Sequence, residues 1–576
     1  MKINTFITTL TQMAPLVLTS FLAYGAANVS SSDQLLVADN TASTAIPWWK
    51  NAIFYQIYIR SFKDSNGDGI GDFNGIIDKL DYIQHLGVDT LLISPHYDSP
   101  NIDNGYDIRD YKQVMKEFGT MADFDRLISE IKRRQMRLII DFVANHTSDS
   151  HEWFKNSQAS TENPYRDFYF WREPKNNNPP NNYISNFGGS AWQFDPTTRQ
   201  YYLHYFSKHQ PDLIFSCYNS GPHIHRYLKE IHQRFKPKYD IVTIGEMAGV
   251  QDDHIHQYVN DHNNGLDMAI SLNLFAIGRD PKLFWKYHNW TVKQFRQVID
   301  QLQQAAGSPW TLFFLNNHDN TRALSFFGVD HGRYRIASAK ALATITLTQR
   351  ATPIIYQGEE IGMTNYPFQS IDEFNDLRAH QDWETYVVSG HIASTTFLQN
   401  LRKTSRDNSR TPFQWDNSAQ AGFSTGTPWM KVNPNYPSVN AKAEMTTPTS
   451  IFQYYRELIA LRHRIPALVI GHYHDVSQNG RTIYAYTRTL NHDSYLVVVN
   501  FSKHPQIYRL ADNDRIAAVL IESSPSQQST AQQTVISLKP WQSGIYRLRR
   551  NINRSLSFTD RPTPAVLIGR PDSSPR

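Results

Sequence analysis

Apolar stretches that each run into a polar, chemistry-bearing residue organise this chain. Ile241-Val242-Thr243-Ile244-Gly245-Glu246-Met247 is β-branched up to a lone carboxylate. Arg137 to Ile140 leads into Asp141 and on to His146, and Trp310 to Leu315 leads into Asn316-Asn317-His318-Asp319-Asn320. Short continuous apolar runs of this kind are strands buried on both faces of a parallel sheet. Four more stretches, 53–62, 89–95, 268–275 and 351–357, bring the count to seven, with helical patterns such as 75–86, 124–136 and 221–235 between them. Parallel strands alternating with helices, several delivering an acid or a histidine at the C-terminal end, predict an α/β fold, a (β/α)8 TIM barrel with one active face. Closing it takes eight strands. The room for the eighth lies in 207–240, where only Ile214-Phe215-Ser216-Cys217-Tyr218 has strand character and no acid follows it.

The rhythm breaks elsewhere too. Residues 147–206, with the run 176–182 of Asn and Pro and many aromatics, read as an inserted subdomain walling one side of a cleft. A second polar insertion spans 369–445, and 451–463 reads as a closing helix. From about 470 the period becomes that of strands (483–489, 495–501, 517–521, 534–538 and 544–548), which predicts a small all-β domain. The expected organisation is a signal peptide at 1–27, a linker at 28–45, the barrel at 46–468, a C-terminal β-sandwich at 469–550 and a disordered tail at 551–576. Lys2, the apolar run 13–27 and the ending Ala23-Tyr24-Gly25-Ala26-Ala27 carry the export signal, which places the protein in a periplasm or the medium.

Composition narrows the partners. A net charge of +4 over 576 residues argues for neither nucleic acid nor a membrane surface. Aromatics reach 13%, a stock of stacking surfaces for sugars or of core. One cysteine, Cys217, excludes an intrachain disulfide framework and a thiolate zinc site. Asp64-Ser65-Asn66-Gly67-Asp68-Gly69-Ile70-Gly71-Asp72 alternates oxygen donors around tight glycine turns, which suits calcium, though it is not an EF-hand.

Tyr55-Gln56-Ile57-Tyr58, the Asp64 loop, Asn104-Gly105-Tyr106-Asp107, Asp141 to His146, Gln210-Pro211-Asp212-Leu213, Gly245-Glu246 and Asn317-His318-Asp319-Asn320 occur in one order. Together they resemble the α-amylase superfamily, glycoside hydrolase family 13. Gln210 to Leu213 and Arg406 to Trp415 narrow the resemblance to its oligo-1,6-glucosidase and sucrose isomerase branch. The resemblance implies roles. Glu246 matches the general acid/base, and Asp319 the carboxylate that stabilises the transition state. His146 and His318 match glucosyl-binding histidines, and Tyr106 a stacking platform. Asp103 and Arg406 match the pair closing the non-reducing end, and Phe187 and Phe206 line the pocket. Asp64, Asn66, Asp68, the Ile70 carbonyl and Asp72 match a structural calcium loop. Asp141 is expected to organise loops. The implied chemistry is retaining cleavage of short α-glucosides (sucrose, isomaltulose, trehalulose, isomaltose) by a monomer, with two carboxyls about 5–5.5 Å apart.

One part of the pattern is absent. The family's nucleophile lies on the fourth strand in Gly-Phe-Arg-x-Asp, and here Leu213 runs through a few residues to Gly221-Pro222-His223. Asp280 lacks the spacing, Asp267 begins a strand and so faces the wrong end, and Asp212 belongs to another motif. An internal deletion, an inactive sugar-binding paralogue and an unrecognised replacement segment are the three explanations, and the first is favoured because the rest still looks tuned for catalysis. Ala276-Ile277-Gly278-Arg279-Asp280 departs from the isomerases' Arg-Leu-Asp-Arg-Asp loop, so hydrolysis leads over isomerisation.

Overall fold

The computed structural model describes residues 22–24 (backbone only), 46–214, 224–247, 252–259, 265–305, 309–478, 480–524 and 533–550. The linker 28–45, Cys217 and the tail 551–576 lie outside them, as does all but Ile214 of the strand candidate 214–218. All seven expected barrel strands are present, shorter than read: Phe54–Ile57, Thr90–Ile93, Arg137–Ile140, Ile244–Glu246, Met268–Ile270, Thr311–Phe313 and Thr352–Tyr356. Their parallel pairing runs, in order, 137–140, 90–93, 54–57, 352–356, 311–313, 268–270, 244–246.

Alternate residues of these strands pack in two separate cores, as a period of two demands. Phe54, Leu92, Ile139, Ile244, Leu312 and Ile354 join Trp49, Trp310 and Val469. Tyr55, Leu91, Leu138, Phe313 and Ile355 instead join residues of the surrounding helices, among them Leu80, Leu127, Phe295, Ile345 and Leu458. Those helices start where their caps stand. Thr120 and Asp123 form a capping box that begins Met121–Arg133 three residues before the predicted start, and Thr291 with Gln294 begins Val292–Gln304 in the same way. The predicted helix 75–86 is two, Phe73–Asp78 and Leu80–Leu86, parted at Lys79.

Among the described residues no pairing joins Arg137–Ile140 to Ile244–Glu246, so the sheet has a seam at the place of the fourth strand. Leu22–Tyr24, inside the expected signal peptide, lies antiparallel on the outer edge of Arg137–Ile140. It runs against its neighbours and carries no acid, so it supplies neither the missing stave nor its carboxylate.

The inserted subdomain holds a three-stranded sheet of Trp171–Arg172, Gln200–Leu203 and Trp192–Asp195. The C-terminal sheet orders His472–Asp475, Ile483–Leu490, Asp493–Asn500, Ser543–Arg550 and Asp514–Glu522, all antiparallel. No described helix is long and apolar enough to cross a membrane.

This sheet docks on the barrel through a carboxyl pair. Asp300 of the helix Val292–Gln304 accepts the Tyr473 hydroxyl, and Arg296 donates to Asp475 Oδ2 at 2.9 and 3.1 Å. Burial and the neighbouring Asp475 push the Asp300 carboxyl up to about 6, against Tyr473 and Arg296. The folded chain therefore holds a proton there that the unfolded chain has already lost, and stability falls as pH rises from the ordinary carboxylate range through 6. Asp300→Asn is expected to flatten Tm against pH between about 4 and 7 and to raise Tm at the upper end. Differential scanning calorimetry of both proteins across that range checks this, and parallel curves would disprove it.

Candidate active site

The C-terminal ends of the strands gather the charged groups. Glu246 ends its strand in register with Ile270 of the next. Burial, and then the charge of Asp319, push its carboxyl up to about 7, where it holds a proton near neutral pH. Asp319 follows the strand Thr311–Phe313 by a turn that Asn317 fixes, its Oδ1 accepting the Asp319 N–H at 3.0 Å. Burial alone would raise Asp319, but His318, Arg406 and Arg410 outweigh it and hold the carboxyl well below the ordinary range. Two carboxyls of one site are thus driven apart, one toward acid and one toward permanent anion.

Arginines fix that anion. Arg406 Nη1 and Arg410 Nη2 donate to Asp319 Oδ1 at 3.1 and 3.0 Å. Arg406 Nη2 also reaches Asp103 Oδ1 at 3.3 Å and Asp376 Oδ1 at 2.7 Å. Asp103 and Arg406 therefore do meet, across a cleft that separates them widely in sequence. Gln210 closes the same corner, with its Nε2 at 3.0 Å from both Asp103 Oδ2 and His146 Nε2. His146 donates from Nε2 to the Tyr106 carbonyl at 3.0 Å, and burial lowers its pKa to about 4, so it is neutral.

His318 lies between Tyr58 and Tyr106, its ring stacked on theirs at 5.9 and 5.4 Å. Gln56 Nε2 is 3.3 Å from its Nδ1, which leaves the proton on Nε2. That nitrogen is 2.6 Å from the Tyr106 hydroxyl and 3.1 Å from Asp319 Oδ2. The Tyr106 hydroxyl in turn donates to Asp141 Oδ2 at 3.0 Å. His318 thus meets the expected platform Tyr106 at its hydroxyl end. Phe206 meets His146 edge-on at 5.3 Å, Phe187 packs on Phe206 at 5.7 Å, and the Arg406 guanidinium lies 5.4 Å over Phe187. The nine residues expected to form the site converge on one cleft.

The acids set aside as replacement nucleophiles are elsewhere engaged. Asp267 sits at the opposite end, bound to Thr243 and Lys236. Asp280 is tied to the Lys282 and Leu283 N–H groups. Asp212 accepts from Asn145 and from the Tyr205 N–H. Gln210, Asp376, Arg410 and Asp141 belong to the site although sequence reasoning gave them no part in it. Gln210 and Arg410 stood inside quoted motifs, and Asp141 at a strand end. Asp376 is the N-cap of the helix Leu377–Trp383, and its tie to Arg406 had no signal in the sequence.

The Asp64 loop lies apart, against residues 423–428. A Cβ on Gly69, at φ +90°, would fall 2.0 Å from the Thr427 carbonyl oxygen, so only glycine fits there. The loop's oxygens are turned toward its own backbone. Asp64 accepts the N–H groups of Asn66, Gly67 and Gly69 and the Ser424 hydroxyl. Asn66 accepts from Asp68, and Asp68 from Ile70. Asp72 caps the following helix through Gly75. No group of three or more His, Cys, Asp or Glu side chains converges as a metal site among the described residues.

Comparison with known proteins places this geometry. The model of the alpha-amylase catalytic domain matches residues 56–217 and 215–471, and that of the alpha-amylase SusG C-terminal domain matches 483–545. The oligo-1,6-glucosidase of Parageobacillus thermoglucosidasius is 40% identical over 557 aligned positions, covering 87% of this chain and 99% of its own. The isomaltulose synthase of Klebsiella sp. LX3 is 49% identical with a TM-score of 0.85, over 88% of this chain and 100% of that one. An isomaltulose synthase variant of Erwinia rhapontici NX5, solved with its natural substrate sucrose, is 48% identical with a TM-score of 0.86 at the same coverage.

Proposed function

Because the chain belongs to the alpha-amylase family, glycoside hydrolase family 13, as an α-glucosidase-type member, we propose that its cleft binds the terminal glucosyl unit of a short α-glucoside, sucrose first. In this reading Glu246 faces the glycosidic oxygen as proton donor. The observation that carries it is the network Asp103–Arg406–Asp319–Arg410 beside a protonated strand-end glutamate. Fixed charges at the closed end hold sugar hydroxyls, and Asp319 stabilises positive charge growing at C1. Sucrose as the first substrate is supported by the 48–49% identity to isomaltulose synthases. That identity favours isomerisation as a second reading, while the 276–280 loop favours hydrolysis.

Both reactions pass through a glucosyl-enzyme, and we infer that this chain forms none. The inference is supported by the sequence from Leu213 to Gly221, by the seam in the sheet, and by a family match that comes in two pieces meeting at 215–217. The 557 aligned positions also exceed the 87% of this chain they draw on, so the oligo-1,6-glucosidase carries residues this chain lacks. Isothermal titration with sucrose or isomaltose should give saturable binding, weakened roughly tenfold by Asp103→Ala, the cost of one buried charged group. A flat titration would refute the binding role. Turnover of about 1 s⁻¹ or more, the ordinary enzyme range, would refute the missing covalent step.

A structural calcium at Asp64, Asn66, Asp68, the Ile70 carbonyl and Asp72 belongs to the same proposal. The donors are all oxygen, and carboxylates steadied by one set of N–H bonds keep further lone pairs for a hard cation. The ion would tie the loop to the segment 423–428 and take no part in the chemistry. Calcium at about 100 times its Kd should stabilise the fold by ~2.7 kcal/mol, read as a raised Tm that chelation reverses. An unchanged Tm would count against it. Export is proposed from the sequence of residues 1–27, and the mature N-terminus of secreted protein, read by mass spectrometry, tests it.

A further inference from the structure

We propose that Asp141 is the general base of a single-displacement hydrolysis in this cleft, with water in place of the covalent nucleophile and β-glucose as the first product. The proposal rests on the glucosyl-binding reading above. Asp141 immediately follows Arg137–Ile140, the last parallel strand before the seam, so it stands at the active face next to the place of the missing acid. It differs from the other aspartates of the cleft. Asp103, Asp319 and Asp376 each pair with an arginine, while Asp141 has no cationic partner among the described residues. Its one hydrogen-bond donor there is the Tyr106 hydroxyl on Oδ2, which leaves Oδ1 for a water. Through Tyr106 and His318 Nε2 it is linked to Asp319, so its position is fixed relative to the carboxylate that stabilises C1. Burial, against the Tyr106 hydrogen bond and with the charge of Asp319, raises its carboxyl well above the ordinary range, so its ionised form is a strong base.

The step balances without another reagent. Water oxygen forms a bond to C1 on the face opposite the leaving group, and its proton passes to Asp141. The bond from C1 to the glycosidic oxygen breaks, and that oxygen takes the Glu246 proton. Asp141 then loses its proton to solvent and Glu246 regains one. Attack by water from the seam side inverts the α-linkage, the outcome expected when a base activates water instead of bonding to carbon.

The test uses the full chain with p-nitrophenyl α-glucoside, following the first-formed glucose anomer by proton NMR and sugar binding by titration with isomaltose. The expected result is slow release of β-glucose, reduced about 100-fold or more in Asp141→Asn, with isomaltose still bound. α-Glucose as the first product, turnover in Asp141→Asn at the parent rate, or no turnover with binding intact would each overturn the role of Asp141 and leave the binding site standing. Loss of isomaltose binding by the parent chain would instead overturn the reading beneath it. The anomer released by the unmodified chain decides the matter even if the variant does not fold.

Discussion

Insertion between Leu213 and Gly221 of the corresponding segment of the Klebsiella isomaltulose synthase is expected to raise kcat/KM on sucrose by at least about 10⁴-fold. Loss of a nucleophile that acts in concert with its acid/base costs about 10⁶ in kcat in well-studied hydrolases. What remains here, the proton donor Glu246 and the fixed anion Asp319, stabilises charge but gives C1 no covalent partner. The same graft should act on the fold. Arg137–Ile140, whose outer edge carries Leu22–Tyr24, and Ile244–Glu246 flank the seam, and a grafted strand that displaces Leu22–Tyr24 would pair with each and cover the core around Ile139 and Ile244. Tm should therefore rise with activity. Replacing the grafted aspartate by asparagine should keep the gain in Tm and abolish the gain in rate. A parent chain that turns over at about 1 s⁻¹ or more, or a folded graft no faster than its parent, would show that the missing segment is not the defect.

The barrel was legible in the sequence because its strands are buried on both faces, which makes them continuous apolar runs rather than alternating ones. The reading overran where burial continues without pairing. Tyr58 to Phe62 is buried like the strand before it, Arg60 and Ser61 included, but Ile59–Ser61 is a 3₁₀ turn. Lys79, which parts two helices, carries no breaker signal of its own. The acids of the site were legible as strand ends, whereas their partners were not. Arg410 reaches Asp319 across 91 residues, and Asp376 reaches Arg406 from the cap of the helix Leu377–Trp383. Periodicity is silent about contacts of that range, and only the resemblance to a family supplied Arg406 and Asp103. Asp141 shows the opposite case. Its local signal was plain, and its surroundings, without an arginine and facing Glu246, were visible only once the chain was folded.

Arg462→Met is expected to cost about 4 kcal/mol and to lower Tm by several degrees. Arg462, in the helix Ile451–Arg464, is fully buried and donates to the carbonyls of Leu347, Gln349, Leu468 and Ala351 at 3.0, 3.1, 2.9 and 2.5 Å. These belong to the C-terminal end of the helix Arg335–Thr348, the turn after it and the helix Pro466–Ile470, where backbone oxygens have no partner within their own helix. A charged donor at such an end satisfies the orphans and the helix dipole together. Arg488 reaches the same place from the C-terminal sheet, donating to Leu468, Val469 and Gly471 at 2.9, 3.0 and 2.9 Å and to Thr348. Burial lowers the pKa of both to about 9, the charge of Arg462 adding to the effect at Arg488. Two like charges that share the Leu468 oxygen should not add. Arg488→Met alone should cost as much as Arg462→Met, and the double variant should cost at least about 1 kcal/mol less than their sum. Urea denaturation of the four proteins gives that coupling directly. Strict additivity would mean that the barrel and the β domain are joined by two independent clamps, whereas the shared carbonyl requires one.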